Sequence, residues 1–326
     1  MRAVMVEQWC SPADLRVREV PSPALPDGCV RISVHAAGIN FADGLIVQGK
    51  YQEKPPFPFA PGFEVAGEVS EVAPGVTRVA PGDKVFAVLD HGGFADEAIA
   101  QAENVHRLAA GMDYATGAAF PIAYGTSHFT LADRAGLRAG ETLLVHGAAG
   151  GVGLTAVECG AALGATVIAT AGGADKLAVA VAHGATHGID SRAEDVHARV
   201  KDLTGGRGVD VVYDPVGGEL FDASLRCTAP DGRIMVIGFA SGTVPQIPAN
   251  HLLVKNLSVI GVYWGAYRRL APQRISDSFD QLRTWFEAGL LKPRVSHTFA
   301  LENAAEALAA LKDRKVTGKA VLICRD

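Results

Sequence analysis

Cysteine is scarce in this chain, and long apolar runs are missing. The five cysteines are scattered over 326 residues and form neither a disulfide framework nor a CxxC metal site. No segment approaches the roughly 20 apolar residues that a membrane span needs. The N-terminus has no apolar run of signal-peptide length. These absences predict a cytoplasmic protein that does not enter a membrane.

Blocks of positive charge are also missing. The formal net charge is −5, and no long block of lysine and arginine stands out along the chain. Binding to nucleic acid or to an anionic membrane therefore has little electrostatic support. A small molecule is the expected partner.

The first 122 residues contain short alternating stretches separated by turns. "VRISVHAAGI" and "FEVAGEVSEV" are typical of strands, and Pro-Gly pairs such as Pro61-Gly62 predict turns between them. This pattern predicts a small, mainly β domain.

From residue 123 onward, strands alternate with helices. "TLLVHG", "ATVIATA", "THGID", "VDVVYD", "GRIMVIG" and "LSVIGVYW" are the predicted strands. Such alternation is typical of a doubly wound parallel sheet with the strand order 3-2-1-4-5-6. We therefore predict a Rossmann domain over residues 123–264, and we expect the tail, 265–326, to pack on the first domain.

"LSVIGVYW" is an edge strand in that order. It is apolar along most of its length, and an apolar edge favours pairing with another chain. A two-fold axis would join two such sheets into one. This predicts a homodimer.

A glycine-rich loop, "HGAAGGVG" at residues 146–153, directly follows the first strand of the Rossmann pattern. Glycine allows a tight turn and lets a pyrophosphate approach the amides at the helix N-terminus, where the helix dipole favours negative charge. A structural tight turn would look similar, but the complete alternating pattern that follows favours a dinucleotide site.

The second strand ends in "ATAGGADK", with no carboxylate before Asp175. NAD sites usually carry an acid there to hold the ribose hydroxyls, and such an acid would repel a 2′-phosphate. Lys176 could pair with that phosphate, although it could also be a solvated helix residue. The pattern favours NADPH over NADH.

With these segments identified, the chain resembles the medium-chain dehydrogenase/reductase superfamily, and within it the zinc-free quinone oxidoreductases. The resemblance covers essentially the whole length and depends on "AAGINFADGLIVQGKYQEKPPFPFAPGFEVAGEV", "VHGAAGGVGLTAVECGAALGA" and "GVDVVYDPVGG". It implies an α/β protein in which a GroES-like catalytic domain, residues 1–122 and 265–326, is interrupted by a Rossmann domain. It also implies a cleft between them that holds NADPH.

Zinc-dependent relatives carry a cysteine in the segment matching "GINFAD" and a histidine in the segment matching "PGFEVAG". Here Asn40-Phe41 and Phe63 stand there, and residues 85–110 hold no cysteine for a structural zinc lobe. One remaining carboxylate, Glu64, is not a zinc site. We expect no metal, so that hydrogen bonds alone polarise the substrate. An electron-poor acceptor, such as a quinone or a conjugated carbonyl, is then favoured.

The resemblance also implies roles for particular residues. The pyrophosphate would contact Gly150, Gly151 and Val152. The adenosine phosphate would be lined by Gly172, Lys176 and Ser191, and Arg314 matches a basic residue that approaches the 2′-phosphate. The nicotinamide and its riboside would meet Thr126, Gly238, Phe239, Ala240, Gly261, Val262 and Tyr263.

Few residues are candidates for chemistry. Asn40 can donate to a carbonyl or to the nicotinamide ribose, or can be a buried turn residue. Tyr51 matches a tyrosine that is the proton donor in similar enoyl thioester reductases, or it only lines the cleft. Asp43 is predicted to be a turn or cap residue rather than a base, and His146 is predicted to be structural. Trp264 and Tyr267 are expected at the substrate mouth.

The expected function is that of an NADPH-dependent, zinc-independent oxidoreductase that transfers hydride to a quinone-type acceptor. An enoyl thioester or enone reductase on the same scaffold is the alternative. A cofactor-binding protein without turnover is a third hypothesis, against which the intact glycine loop, Asn40 and Tyr51 argue.

Overall fold

The computed structural model, which describes residues 1–325, divides into two units of closely packed residues. The first unit contains residues 1–122 and the chain from Pro293 onward, and the second contains residues 123–292. No helix within residues 1–325 has both the length and the apolar character that crossing a membrane requires.

The first unit begins with seven strands and two short helices. They are β1 (Arg2–Met5), β2 (Arg16–Glu19), β3 (Cys29–Gly38), α1 (Phe41–Val47), β4 (Glu64–Val72), β5 (Lys84–Val88), β6 (Glu97–Gln101), β7 (Val105–Arg107) and α2 (Tyr114–Ala119).

The second unit alternates helices and strands, as the sequence predicts. Its elements are α3 (Pro121–His128), a π-helical turn (Phe129–Arg134), β8 (Thr142–Val145), α4 (Gly151–Ala162), β9 (Thr166–Ala171), α5 (Ala174–Ala182), β10 (His187–Asp190), α6 (Val196–Leu203), β11 (Val209–Asp214), α7 (Glu219–Cys227), β12 (Thr228–Val236), α8 (Ala249–Lys255), β13 (Ser258–Gly261), α9 (Trp264–Leu270) and α10 (Pro272–Glu287). The chain then returns to the first unit and adds β14 (Val295–Ala300), α11 (Ala304–Lys312) and β15 (Lys319–Ile323).

A seven-stranded sheet forms the centre of the first unit. Its order is β14-β15-β3-β4-β5-β7, with β6 also paired to β3. In β3, alternate side chains such as Val30, Ile32 and Val34 are buried, because successive residues of a strand point to opposite faces. β15 pairs antiparallel with β3, with Val321 opposite Gly38, so the last segment of the chain completes the sheet.

The second unit is built on a six-stranded parallel sheet. Its order is β10-β9-β8-β11-β12-β13, which confirms the predicted order 3-2-1-4-5-6 and places β13 at an edge. Helices cover both faces of such a sheet, so its strands are continuous apolar runs. "TLLV" of β8 is an example, with Leu143, Leu144 and Val145 fully buried.

Small residues in α4 follow from its close approach to the sheet. A Cβ at Gly160 would lie 2.5 Å from Cδ2 of Leu143 on β8, so a larger residue there would push the helix away. The first turn of α4 is thereby held directly beyond the carboxyl end of β8.

The tail differs from the prediction over residues 265–292. These residues were expected to pack with residues 1–122, but α9 and α10 lie within the second unit. The buried residues Ile275, Phe279 and Leu282 of α10 form an apolar face, and the Cζ of Phe279 would lie 3.3 Å from a Cβ at Gly125 of α3. An amphipathic helix packs where its apolar stripe is buried, which the spacing of the stripe alone does not specify.

Candidate active site

The carboxyl ends of the parallel strands bring most of the predicted cofactor residues to one edge of the sheet. Each of these residues ends or follows a strand of the second unit. They reach the same edge because the carboxyl ends of parallel strands lie together. Gly150, Gly151 and Val152 follow β8, Gly172 and Lys176 follow β9, Ser191 follows β10, Gly238, Phe239 and Ala240 follow β12, and Gly261 ends β13, with Val262 and Tyr263 next.

The loop after β8 turns tightly, with glycine at positions where a side chain would strain the backbone or collide with it. Gly147 has φ of +57°, a left-handed conformation that glycine adopts without strain. A Cβ at Gly153 would lie 2.2 Å from the carbonyl oxygen of Gly147, so that no other residue fits. Gly150 is the N-cap of α4 and offers no side chain to the first-turn amides. These amides and the helix dipole form a cradle for an anion.

The end of β9 holds a residue that the sequence analysis missed. A Cβ at Gly172 would lie 2.6 Å from Nε of Arg192, so the Arg192 side chain lies across the glycine. Oδ1 of Asp190 accepts hydrogen bonds from the backbone N–H of Gly173 (3.1 Å) and of Arg192 (3.0 Å), and thus joins the loops after β9 and β10. Those backbone hydrogen bonds, that from Arg192 first, lower the pKa of Asp190. A basic residue two positions after the third Rossmann strand was the available signal.

Lys176 and Ser191 lie in the same two loops. Lys176 is in the first turn of α5, and the N–H of Ser191 donates to the carbonyl of Ala171 (3.0 Å) at the end of β9. The structure therefore brings Gly172, Lys176 and Ser191 into neighbouring loops at one end of the edge.

The loop after β12 is tied to the loop after β11. The N–H of Ala240 donates to the carbonyl of Pro215 (3.0 Å), while the Phe239 side chain remains 39% exposed. The N–H of Val262 donates to the carbonyl of Val236 (3.1 Å), which extends the β12–β13 pairing. Thr126 is buried on α3.

In the first unit, a buried charged cluster surrounds Asn40. Nζ of Lys319 is 2.8 Å from Oε1 of Glu64 and 2.6 Å from Oδ1 of Asn40. Nδ2 of Asn40 donates to the same Glu64 oxygen (2.8 Å). The side chains of Lys319 and Glu64 are 6% and 0% exposed. Neither Lys319 nor its pairing with Glu64 was foreseen from the sequence.

Asp43 caps α1, as predicted. Its carboxylate accepts from the N–H of Asn40 (2.7 Å) and from that of Gly62 (3.1 Å). The side chain is fully buried, and burial outweighs these donors and raises the pKa of Asp43 to about 8. Asp43 therefore fixes the backbone of Asn40.

Gly38 makes room for the Glu64 side chain. A Cβ at Gly38 would lie 2.4 Å from Oε1 of Glu64 and 2.2 Å from the carbonyl oxygen of Ala118. Oε2 of Glu64 accepts from the N–H of Ile122 (2.8 Å), so both carboxylate oxygens have donors.

Tyr51 and Arg314 also lie in the first unit. Tyr51 is half-buried, with its ring centroid 5.4 Å from that of Phe63. Arg314 is exposed after α11, with φ of +59°.

The donors around Glu64 do not fit a zinc ion. Within residues 1–325, no three histidine, cysteine, aspartate or glutamate side chains are grouped so that they could hold a metal. The neighbours of Glu64 are an ammonium and an amide, while Phe41 and Phe63 stand at the positions compared with metal ligands. An ammonium group next to the carboxylate disfavours a second cation there by charge repulsion.

His146 has the structural role predicted for it. Its ring nitrogens hydrogen-bond Thr170 Oγ1 (2.9 Å) and Ser224 Oγ (2.8 Å), and burial lowers its pKa. The ring is fully buried and its hydrogen-bonding capacity is used within the second unit.

Trp264 and Tyr267 both pack against aromatic side chains of the second unit. Trp264, which was expected at a substrate mouth, is buried against Gly125 and Phe279, whereas Tyr267 is half-buried and its place at such a mouth stays a prediction. The Tyr267 ring packs on Phe129, with a centroid separation of 4.5 Å. Burial of the large Trp264 ring is energetically favourable, and this ring attaches the start of α9 to α3.

Chemically, the two units offer different functions. The second presents a side-chain-free helix N-terminus beside basic residues, an arrangement suited to a phosphorylated dinucleotide. The first presents an amide and a phenol, which are hydrogen-bond donors near neutral pH.

Known families match both parts of the chain. Residues 26–120 match the family described as an alcohol dehydrogenase GroES-like domain, and residues 151–282 match the family described as a zinc-binding dehydrogenase. They confirm the predicted combination of a GroES-like unit with a Rossmann-type unit.

Individual relatives match along most of the chain. A quinone oxidoreductase-like protein 2 homolog of Nematostella vectensis is 42% identical over 90% of this chain and 81% of its own. The structure of Escherichia coli quinone oxidoreductase complexed with NADPH is similar, with a TM-score of 0.92, 31% identity and coverage of 99% of this chain and 100% of that one. A 2-haloacrylate reductase structure has a TM-score of 0.87, 30% identity and complete coverage of both chains (100% each). By identity along nearly its whole length, this chain belongs to the quinone oxidoreductase family of the medium-chain dehydrogenase/reductase superfamily.

Proposed function

We propose that the protein is an NADPH-dependent, zinc-independent reductase that transfers hydride to an electron-poor acceptor of the quinone type. The observation that carries this proposal is the cradle at the end of β8, in which Gly147 and Gly153 approach too closely for any side chain. A relative with the same fold is complexed with NADPH. When bound, NADPH supplies the hydride, and a proton completes the reduction of the acceptor.

In this proposal, different residues along the sheet edge bind different parts of NADPH. The amides of Gly150, Gly151 and Val152 hold the pyrophosphate. Gly238, Phe239 and Ala240, Gly261, Val262 and Tyr263, and Thr126 surround the nicotinamide half. The role of Arg314 in binding phosphate remains a prediction.

The preference for NADPH depends on the end of β9. Gly172 and Gly173 stand where an acid would hold the ribose of NADH. Arg192 lies across Gly172, and Lys176 is in the helix turn that follows. We therefore add Arg192 to Lys176 and Ser191 as residues for the 2′-phosphate, since a guanidinium matches phosphate geometry.

The pairing of Glu64 with Lys319 at 2.8 Å, together with Phe63 next to it in the sequence, supports the proposal that the protein works without zinc. Without a Lewis acid, a substrate oxygen must be stabilised by donors placed where negative charge develops. Asn40 and Tyr51 are the donors that we propose. Such a site favours acceptors that are already electron-poor over unactivated alcohols.

Reduction of an enoyl thioester or enone is the second candidate, and Tyr51 favours it. Hydride transfer to a conjugated carbonyl leaves an enolate, whose carbon must then take a proton, and a nearby phenol can supply it. A relative with this fold is a 2-haloacrylate reductase. A quinone, in contrast, is protonated on oxygen when it is reduced to the hydroquinone, and this proton can come from water.

The free edge of β13 supports assembly into a homodimer. β13 is the terminal strand of the six-stranded sheet. The adjacent helix α8 exposes Leu253 and Val254 by 79% and 81%. An apolar edge beside exposed apolar side chains is a surface that a second copy would cover, and a two-fold axis would make it self-complementary.

The first prediction concerns turnover. The protein should oxidise NADPH with a quinone, an enone or an enoyl-CoA, measured as loss of NADPH absorbance. Tyr51→Phe should lower kcat for an enoyl thioester by on the order of 10²-fold, because the phenol supplies the proton to carbon. Quinone reduction should fall much less.

Tyr114→Phe is the matched control, because Tyr114 hydrogen-bonds Glu68 on the same unit (2.8 Å) and has no proposed chemical role. Absence of turnover with all three acceptors would contradict the proposed activity and favour a cofactor-binding protein. If kcat for Tyr51→Phe is unchanged on every accepted substrate, Tyr51 only lines the cleft and is not the proton donor.

The second prediction concerns cofactor choice. Lys176→Ala and Arg192→Ala should each weaken NADPH binding roughly ten- to hundredfold, since each removes a charge-assisted contact. NADH binding should barely change. Fluorescence titration of both cofactors measures this, with Arg199→Ala as a surface control. Equal affinity of the unmodified protein for NADPH and NADH would refute the assignment.

The third prediction concerns metal. Elemental analysis of the purified protein should find no stoichiometric zinc, and treatment with a chelator should leave NADPH oxidation unchanged, since Glu64 already pairs with Lys319. A zinc-containing dehydrogenase treated in parallel controls for chelation. One zinc per chain with chelator-sensitive activity would overturn this part of the proposal.

The fourth prediction concerns assembly. Light scattering after size exclusion should give a dimer mass at micromolar concentration, and Val254→Asp should shift it toward the monomer by placing a charge in the apolar contact. Val181→Asp, at another exposed apolar position of the second unit, should leave the mass unchanged. A monomer mass for the unmodified protein would count against the dimer.

A further inference from the structure

The side-chain amide of Asn40 is held between groups of opposite character. Its Oδ1 faces the ammonium of Lys319 at 2.6 Å, and its Nδ2 faces the carboxylate of Glu64 at 2.8 Å. An ammonium is a donor only, and an ionised carboxylate is an acceptor only. Rotating the amide by 180° would place its NH₂ against the ammonium and its oxygen against the carboxylate. The chemistry of the two neighbours therefore specifies one orientation of the amide.

That orientation leaves one hydrogen of Asn40 for a ligand. An asparagine NH₂ group carries two hydrogens, and within residues 1–325 Nδ2 makes a single hydrogen bond, the one to Glu64. Asn40 itself is half-buried at the start of α1. Any group that meets the remaining N–H must be an acceptor, such as an oxygen that is gaining negative charge.

Lys319 has no hydrogen left for such a role itself. Its three ammonium hydrogens have three acceptors: the carbonyl of Ile39 (2.8 Å), Oδ1 of Asn40 and Oε1 of Glu64. Its side chain is 6% exposed. Lys319 can therefore act on a substrate only through Asn40.

We propose that Lys319 is a positioning residue that holds Asn40 as a hydrogen-bond donor to the oxygen that becomes negative during hydride transfer. Its charge also polarises the Asn40 amide and strengthens the remaining N–H as a donor, since hydrogen bonds in a chain polarise one another. The inference rests on the proposed function, because that function supplies the oxygen.

The test uses the full chain with both charges removed together, Lys319→Met with Glu64→Gln. Removing only one charge would leave the other buried and unpaired, and the protein would then fail to fold for an unrelated reason. In the double variant the amide can adopt either orientation. The control is Arg233→Met with Glu141→Gln, which removes a two-bond ion pair of 2.8–2.9 Å from the second unit.

Two readouts separate orientation from turnover. The first is the side-chain amide signal of Asn40 in protein labelled with ¹⁵N at its five asparagines, assigned by its loss in Asn40→Asp. In the double variant this signal should move toward the positions of exposed asparagines and exchange faster with water. The second is kcat, which should fall roughly tenfold, less than the order of 10²-fold expected when a donor is removed altogether by Asn40→Ala. NADPH affinity should stay within about twofold in both variants, because the amide acts on the acceptor oxygen only after the cofactor is bound.

Lys319→Arg provides the conservative variant, since it keeps a cation with several donors. It should retain the Asn40 signal near its original position and more of kcat than the double variant does. If the Asn40 signal is unchanged in the double variant, or if the control lowers kcat equally, Lys319 does not position Asn40. If the signal moves while kcat is unchanged for every accepted substrate, the positioning holds and the proposed donor role of Asn40 fails.

Discussion

One buried ammonium, that of Lys319, joins β15 to two other segments of the first unit. It binds the carbonyl of Ile39 and the side chain of Asn40, which connect β3 to α1, and it binds Glu64 at the start of β4. An unpaired buried charge is strongly unfavourable, so these partners must be in place together. Two further residues are needed to hold Glu64 in place. Position 38 must be a glycine to leave space for its side chain, and the backbone N–H of Ile122 donates a hydrogen bond to its carboxylate.

The second unit depends on a different constraint, which is the absence of side chains. Gly153 approaches the carbonyl oxygen of Gly147, and Gly160 approaches Leu143, so α4 lies close against β8 and begins directly beyond its end. The same close packing explains why α4 is composed mostly of small residues. A binding surface made of backbone amides is stable against changes of rotamer, and it selects ligands by charge and by the space that is left open.

The two units thus provide complementary groups for reduction by hydride transfer. Backbone amides and basic side chains are suited to the phosphates of a cofactor, whereas neutral donors are suited to an oxygen that becomes negative only in the transition state. The Glu64–Lys319 pair adds little net charge to the first unit and leaves its donors neutral. An ammonium, rather than a metal ion, is thus the cation that pairs with Glu64 in this chain.

The sequence by itself determined the two kinds of domain, the order of the parallel strands and the position of the glycine loop. These features depend on local periodicity, on apolar runs and on residues whose backbone conformation is restricted. The cap formed by Asp43 and the structural role of His146 were predictable for the same reason. Only the tertiary structure decided where α9 and α10 pack, that Trp264 is buried rather than exposed, and that Arg192 lies across Gly172. It also brought Lys319 to Asn40 and Glu64, which are 279 and 255 residues away in the chain. Contacts of such separation depend on strand pairing and on the burial of whole faces, and neither is encoded in the residues next to each partner.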